Sequence, residues 1–312
     1  MTTRFGDEND MEFRQLRYFL AVAEHLHFTE AAAALGIAQP PLSQQILKLE
    51  REIGTPLFIR HPRRVELTEA GRLLRERARR LVDDAQQALL ATRDAGRGET
   101  GRLSLGFAGS TVFHPAIAQT MQRFRHAYPR VAVGCEESNS VALLEKVGAG
   151  RIDAALVRMP LQCGELVVEP LADEEMIAVL PNGHRLGRRK QVDLADLAGE
   201  PFIVFPRGIG PNLYDSIIGA CHAAGFAPSI GMESPQISSA GNLVSAGFGV
   251  AIVPASMRQV QVAGVSFHAL RGRPLATGIA LVHRPRERAQ TVRNFVRILR
   301  QHRSGTGNTG AA

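Results

Sequence analysis

Three polar side chains, Ser43, Gln44 and Lys48, fall on one side of "QPPLSQQILKLEREIG", residues 39–54. Leu42, Ile46 and Leu49 fall on the other side at i, i+4 and i+7, the apolar stripe of a helix. A helix that buries this stripe turns a hydroxyl, an amide and an ammonium group to solvent. Those groups read base edges and hold phosphates. Just beyond, "HPRR" places Arg63 and Arg64 in a turn between two short apolar runs, "PLFIR" and "VELT". A positive turn between two short strands suits a polyanionic backbone.

A second group of residues suits an anion of another size. Three strand-to-helix junctions carry hydroxyl, amide or cationic groups: Gly109-Ser110-Thr111, Asn139-Ser140, and Pro206-Arg207-Gly208 leading to Asn212. A helix N-terminus offers unpaired N–H groups and the positive end of its dipole, so a carboxylate fits there. Each serine alone also reads as an ordinary N-cap, and Arg207 as a solvated loop charge. Convergence of three junctions points to a ligand site beyond the carboxyl ends of strands. Arg158 ends a strand, where it faces such a cleft or pairs with Glu174. Phe205 and Leu213 supply apolar wall.

Catalytic and metal chemistry find no support. "GFAGS" is not GxSxG, and "RGIGPN" lacks the Lys and Ser/Thr of a phosphate-binding loop. The ten histidines form no HxxxH or HExxH pattern, and Cys135, Cys163 and Cys221 have no metal-like spacing. An odd cysteine count fits reduced thiols in the cytoplasm. No enzyme, metal or cofactor is expected.

The elements that position these residues are read from periodicity. "EFRQLRYFLAVAEH" spaces Phe13, Leu16, Phe19 or Leu20, and Ala23 as a helix. "TEAAAALG" is a second, with Thr29 as N-cap and Gly36 as stop. The third opens on Pro40-Pro41, tolerated in a first turn whose N–H groups have no partner, and Gly54 ends it, with Ile53 extending its stripe. A short turn between two small helices is helix-turn-helix geometry, and the basic turn is a wing. From Thr68 a long helix follows. Leu67, Gly71, Leu74, Ala78, Leu81, Ala85, Ala88 and Thr92 make a heptad seam that argues for pairing of two chains, the alternative being a long helix packed on its own domain. "DAGRGETGR" then reads as a flexible linker. Beyond it, strands and helices alternate, which predicts a parallel sheet in two similar α/β lobes.

At 312 residues the chain holds two or three domains, and its 45% hydrophobic content supports real cores. No apolar run reaches membrane-spanning length. "MTTRFGDEND" lacks the basic start and apolar centre of a signal peptide, so residues 1–10 read as a disordered extension and Met11 as an alternative start. The net charge of +7 permits a polyanionic partner. Its weight is reduced because residues 271–303 hold nine Arg and one Glu, which reads as a solvated C-terminal surface.

"FRQLRYFLAVAE", "FTEAAAALGIAQPPLSQQILKLEREIGTPLF" and "RRVELTEAG", in this order, resemble the DNA-binding domain of LysR-type transcriptional regulators. The resemblance continues through the long helix and the two lobes. It implies an α+β multidomain chain. Residues 11–68 would be a winged helix-turn-helix, with Phe28 to Leu47 as the motif, and 69–97 a dimerising linker helix. Residues 101–303 would be a two-lobed, periplasmic-binding-protein-like effector domain, with 304–312 a disordered tail. Lobe I would comprise 101–172 plus 276–303, and lobe II 173–275. DNA contact would involve Phe28, Thr29, Gln39, Pro40, Pro41, Ser43, Gln44, Lys48, Arg63 and Arg64. The family often has Arg at the position of Gln44, so base preference is expected to differ here.

Within the family, "MEFRQLRYF", "GFAGS", "GRIDAALVR" and "FPRGIGPN" look most like the muconate- and chlorocatechol-responsive regulators of aromatic degradation. That likeness matches Ser110 and Ser140 to ligand-contacting positions. It puts Ala172 where some members carry an Arg of an auxiliary site, which speaks against such a site. The implied protein is a cytoplasmic activator switched by a small carboxylate, aromatic or muconate-like. It would bind promoter DNA and RNA polymerase, and would be a homodimer or homotetramer. A solute-binding protein would need an export signal and no DNA-binding segment. An enzyme fused to a DNA-binding domain would need a catalytic constellation.

Overall fold

The computed structural model describes residues 12–61, 64–272 and 275–306. The expected N-terminal extension, Met11, Arg63 and most of the expected tail lie outside them. The chain divides into two compact units, 1–93 and 94–312.

In the first unit, α1 (Phe13–His25), α2 (Phe28–Ala34) and α3 (Gln39–Ile53) precede a two-stranded ribbon, β1 (Phe58–His61) and β2 (Arg64–Leu67). The long helix α4 (Glu69–Gly96) starts here. Leu42, Ile46 and Leu49 are fully buried, and they meet Leu16, Phe19 and Val22 of α1 in one core. Pro40 and Pro41 sit in the first turn of α3, and Gly54 closes it at φ +77°, the left-handed region that glycine enters without strain. Three expectations change. The N-cap of α2 is His27, so Thr29 lies inside the first turn. Phe13 and Ile53 are exposed, because the three-helix core is too small to cover the ends of its own helices. The heptad seam also divides. Leu67, Gly71 and Ala78 are buried and Leu74 half-buried in this unit's own core, whereas Leu81, Ala88 and Thr92 face solvent.

The second unit begins at the C-terminal end of α4. The segment expected to be a flexible linker is tied down. Arg130 pairs with Asp94 at 2.8 Å and with Glu99 at 3.3 Å, and the Asn294 amide donates to the Arg97 carbonyl at 2.9 Å. Then come β3 (Thr100–Ala108), α5 (Pro115–Ala127), β4 (Arg130–Ser138), α6 (Ser140–Gly148) and β5 (Ala154–Met159). The 15-residue strand β6 (Val167–Pro181) crosses to the second lobe. That lobe adds β7 (Gln191–Val192), β8 (Pro201–Val204), α7 (Pro211–Ala223), β9 (Ser229–Glu233), α8 (Ala240–Ser245), β10 (Val250–Pro254) and β11 (Val265–Leu270). The chain returns through β12 (Ala276–His283) and ends on α9 (Gln290–Thr306), a helix that runs into the expected tail.

Among the described residues ten strands form one sheet, with a main path β4-β3-β5-β12-β6-β10-β8-β9. β3 runs parallel to β4 and β5, and β8 runs parallel to β9 and β10. β12 and β6 run antiparallel to their neighbours, so the sheet is mixed rather than parallel as expected. The reason is the crossing: a chain that leaves one lobe on β6 and returns on β12 must lay both strands side by side in opposite directions. Val167 to Glu175 pair with β12, and Met176 onward pairs with β10 and β11. Each lobe keeps its own core, around Leu103, Leu105, Phe124 and Phe295 in one and Phe202, Leu213 and Ile217 in the other.

Candidate functional site

On the first unit, Gln39, Pro40, Pro41, Gln44 and Lys48 are exposed and Ser43 is half-buried. The Gln39 amide donates to Ser43 Oγ at 3.1 Å, which orients two neighbouring polar groups on the first turns of α3. Lys48 departs from them: its ammonium lies 3.5 Å from Glu12 and 3.6 Å from Glu52. Thr29 is exposed. Phe28 is engaged in packing, edge-on to Phe58 at 5.9 Å, with the Arg60 guanidinium 5.2 Å above its ring. The ribbon is fixed to α3 by Glu50. One carboxylate oxygen accepts the N–H groups of Leu57 and Phe58, at 2.8 and 3.1 Å, and the other accepts from Arg60 at 2.9 Å. Arg64 is exposed at the start of β2 and pairs with Glu66 at 2.9 Å, so its charge is partly matched. This surface can lay amides and hydroxyls against base edges and a cation against phosphate.

In the second unit, a cleft of about 50 Å³ is lined by Ser110, Ser140, Arg158, Phe205 and Leu213 among others, drawn from both lobes. Ser140 opens α6, whose N-cap Asn139 accepts the Ala142 N–H at 2.9 Å. The Arg158 backbone N–H donates to Ser140 Oγ at 3.3 Å. The Arg158 side chain both lines the cleft and pairs with Glu174 at 2.6 Å. Burial pulls its guanidinium below the ordinary arginine value, and Glu174 opposes that pull. Its Nε donates to Ser110 Oγ at 3.1 Å and Nη2 to the Ser110 carbonyl at 2.9 Å. Gly109 also lines the cleft, and a side chain there would stand 2.8 Å from Glu137 Oε1 and 3.2 Å from Gln236 Oε1, both ends of flexible side chains. His114 caps α5 nearby, and burial holds its imidazole below the usual histidine value.

Four expected ligand residues do not line the cleft. Thr111 is fully buried and its hydroxyl donates to the Ala108 carbonyl at 2.7 Å, closing its own turn. Arg207 is exposed and makes a two-pronged pair with Asp215, at 2.8 and 2.7 Å, which holds that carboxyl below its usual range. Pro206, in the same loop, and Asn212, in the first turn of α7, are half-buried and outside the lining. Ile209 and Gly210 face the cleft instead. The loop bends through a short 3-10 turn (Arg207–Ile209), which throws the arginine outward and the isoleucine in. Gln236 and Ile237 were also missed. They follow β9, whose five residues "SIGME" alternate around only two apolar side chains, Ile230 and Met232, too short a pattern to mark a strand, so the junction beyond it went unread. Pro160 and Leu161, just past β5, complete the rim. Ala172, the position matched to an auxiliary arginine, packs half-buried against the lobe I core.

The Cys135, Cys163 and Cys221 thiols are free, and burial pushes Cys221 up to about 11. Among the described residues no helix is long and apolar enough to cross a membrane.

Comparison with known proteins bears on both sites. The description "Bacterial regulatory helix-turn-helix protein, lysR family" matches residues 13–72, and "LysR substrate binding domain" matches residues 96–304. The HTH-type transcriptional regulator BudR of Raoultella terrigena is 40% identical, over 92% of this chain and 100% of its own. The crystal structure of CbnR, a LysR family transcriptional regulator, superposes with a TM-score of 0.84 at 29% identity, covering 92% of this chain and 99% of that one. Full-length CbnR complexed with its target DNA superposes at 0.79, with 28% identity over 93% and 99%. Two family matches that together cover most of the chain and a relative similar end to end account for both the exposed helix and the cleft between the lobes: the chain is a DNA-binding transcriptional regulator, not an enzyme, and it belongs to the LysR family.

Proposed function

We propose that this regulator is switched by a small carboxylate held between the two lobes, and that it controls genes for the breakdown of aromatic acids or related compounds. The cleft carries the reading. Two buried serines, one guanidinium and the N-terminal end of α6 converge on one cavity with apolar walls from Phe205, Ile209 and Leu213. Such a lining suits an anionic head and an apolar body. The likeness to muconate- and chlorocatechol-responsive regulators in "GFAGS" and "FPRGIGPN" supports an aromatic or muconate-like acid. A second reading has one observation in its favour. The cleft is small, about 50 Å³, which favours a short aliphatic carboxylate over a ring.

The same proposal places DNA contact on Gln39, Pro40, Pro41, Ser43 and Gln44, with Arg64 beside the backbone. Support comes from the exposure of all of these but the half-buried Ser43, and from the CbnR complex with its target DNA, a structure similar over most of this chain. The exposed leucines of α4 support a homodimer through that helix, with a homotetramer as the fuller assembly. An activator acting with RNA polymerase in the cytoplasm completes the reading.

Calorimetry on the full chain, with benzoate, muconate and short aliphatic acids beside their neutral amides, tests the effector. At least one acid is expected to bind, and Ser110→Ala and Ser140→Ala should each weaken it by about tenfold. Tight binding of a neutral sugar, with both variants silent, would overturn chemistry and location together.

A further inference from the structure

Among the described residues lining the cleft, Arg158 alone carries a charge, and that charge is already matched. A guanidinium has five N–H donors. Nε and Nη2 hold Ser110, and Nη1 holds Glu174. The second Glu174 oxygen accepts the Ser256 N–H at 2.7 Å. Side chains of the pair are only 6% and 5% exposed, so water screens neither charge.

The location of Glu174 adds to this. It lies on β6 opposite Thr277 of β12, two residues before Met176 takes its partner from β10. One carboxylate thus joins Arg158 of β5, the crossing strand, and the 3-10 turn Ala255–Gln259 that follows β10 of lobe II. A carboxylate entering the cleft brings a second negative charge to a guanidinium that has one. Two of the five N–H donors are left over, but a carboxylate that takes them stands in a dry site beside the buried Glu174 charge, and the two like charges repel.

We propose that Glu174 is a built-in competitor for the effector: it occupies Arg158 in the free protein, and the effector carboxylate binds by taking Nη1 of Arg158 from it. This rests on the cleft being the effector site. Displacement frees the tie between lobe I and the Ala255–Gln259 turn at the strand where the lobes meet. Glu174 therefore sets both the concentration at which the effector acts and its charge. An anion gains the guanidinium in exchange for the displaced pair, whereas a neutral ligand of the same shape gains nothing.

The test uses the full-length protein, with benzoate and its neutral analogue benzamide as probes, by calorimetry. Glu174→Gln removes the charge at nearly constant shape. Its amide puts an NH2 group in place of one of the two oxygens that accept from Ser256 and from Arg158, so one of those donors faces a donor. Benzoate should bind about ten- to a hundredfold more tightly than to the wild type, with benzamide unchanged. Glu174→Asp keeps the charge but draws it back by one methylene, and should tighten benzoate by less. A wild type that binds neither probe beside a Glu174→Gln protein that binds benzoate supports the competitor. An unchanged benzoate-to-benzamide ratio in both variants, with Ser110→Ala still weakening benzoate, overturns it and leaves the effector site standing. Benzoate binding indifferent to Ser110→Ala and Ser140→Ala overturns the site, and the inference with it. If Glu174→Gln does not fold, Glu174→Asp decides: a wild-type ratio there overturns the proposal.

Discussion

The two units finish their surfaces differently. Of twelve large hydrophobic side chains exposed among the described residues, nine belong to the first unit, though it is the smaller. Leu73, Leu81, Leu89 and Leu90 lie along α4, and Phe13 opens α1 while Leu26 caps its end. The second unit exposes three, Val112, Ile230 and Phe248. It also keeps its site inside, where Ser110, Ser140 and Arg158 are all buried. The lesson concerns completeness. The second unit encloses its own apolar surface and its own chemistry, while the first leaves apolar area open that a lone chain in water does not favour. Its chemistry lies outside as well, on the first turns of α3 and on the ribbon. Substitutions in the two units should therefore fail in different ways.

Arg158→Ala is expected to have the largest effect. It leaves Glu174 charged and buried with only the Ser256 N–H, which should cost about 3–5 kcal/mol. Urea unfolding followed in the second unit should show the loss, together with loss of carboxylate binding. A variant as stable as the wild type would mean that the interior of this unit is wetter than its burial indicates. Leu81→Asp should come next. Leu81 is half-exposed in the single chain, so the charge costs the monomer little, but it would be buried if α4 pairs. Pairing should weaken by about 2–3 kcal/mol, seen as dissociation in light scattering at micromolar concentration. A dimer that persists unchanged would move the interface off α4. Arg64→Ala should be the mildest. It removes one surface cation already shared with Glu66, lowering the salt slope of DNA binding by at most about one and weakening all sequences alike. A change in sequence preference would shift Arg64 from backbone contact to base reading.

How much could be read beforehand follows the same division. The three helices and the ribbon were legible because their signals are local: two prolines in a first turn, a glycine stop, and a stripe at i, i+4 and i+7. The seam was legible only as a pattern. A heptad does not say whether Ala78 meets its own chain or another, and here its first half is internal. In the second unit the central strands were plain, since β5 and β10 are buried on both faces and read as apolar runs. β7 is two residues long and β9 alternates around only two apolar residues, so neither gave a pattern long enough to mark a strand. Ser110, Ser140, Arg158, Phe205 and Leu213, named because ligands sit beyond strand ends, all line the cleft. Arg207, named on the same ground, leaves its loop outward, since the rule names the loop but not the direction in which each side chain leaves it.

The crossing strand β6 has a phase, and only part of it is written in hydrophobicity. Beyond Glu175, Met176, Ala178 and Leu180 belong to one core, and Ile177 and Val179 to another. Both faces of that half are apolar, so a one-residue slip would exchange them at little cost in burial. Before it, Glu174 must face Arg158, and no slip preserves that. The odd-even setting of lobe II is thus inherited from a charged residue upstream. An insertion of one residue after Glu175 would still give two apolar cores, but with every lobe II side chain of β6 turned over relative to the cleft. Tolerance to lengthening should therefore come in steps of two.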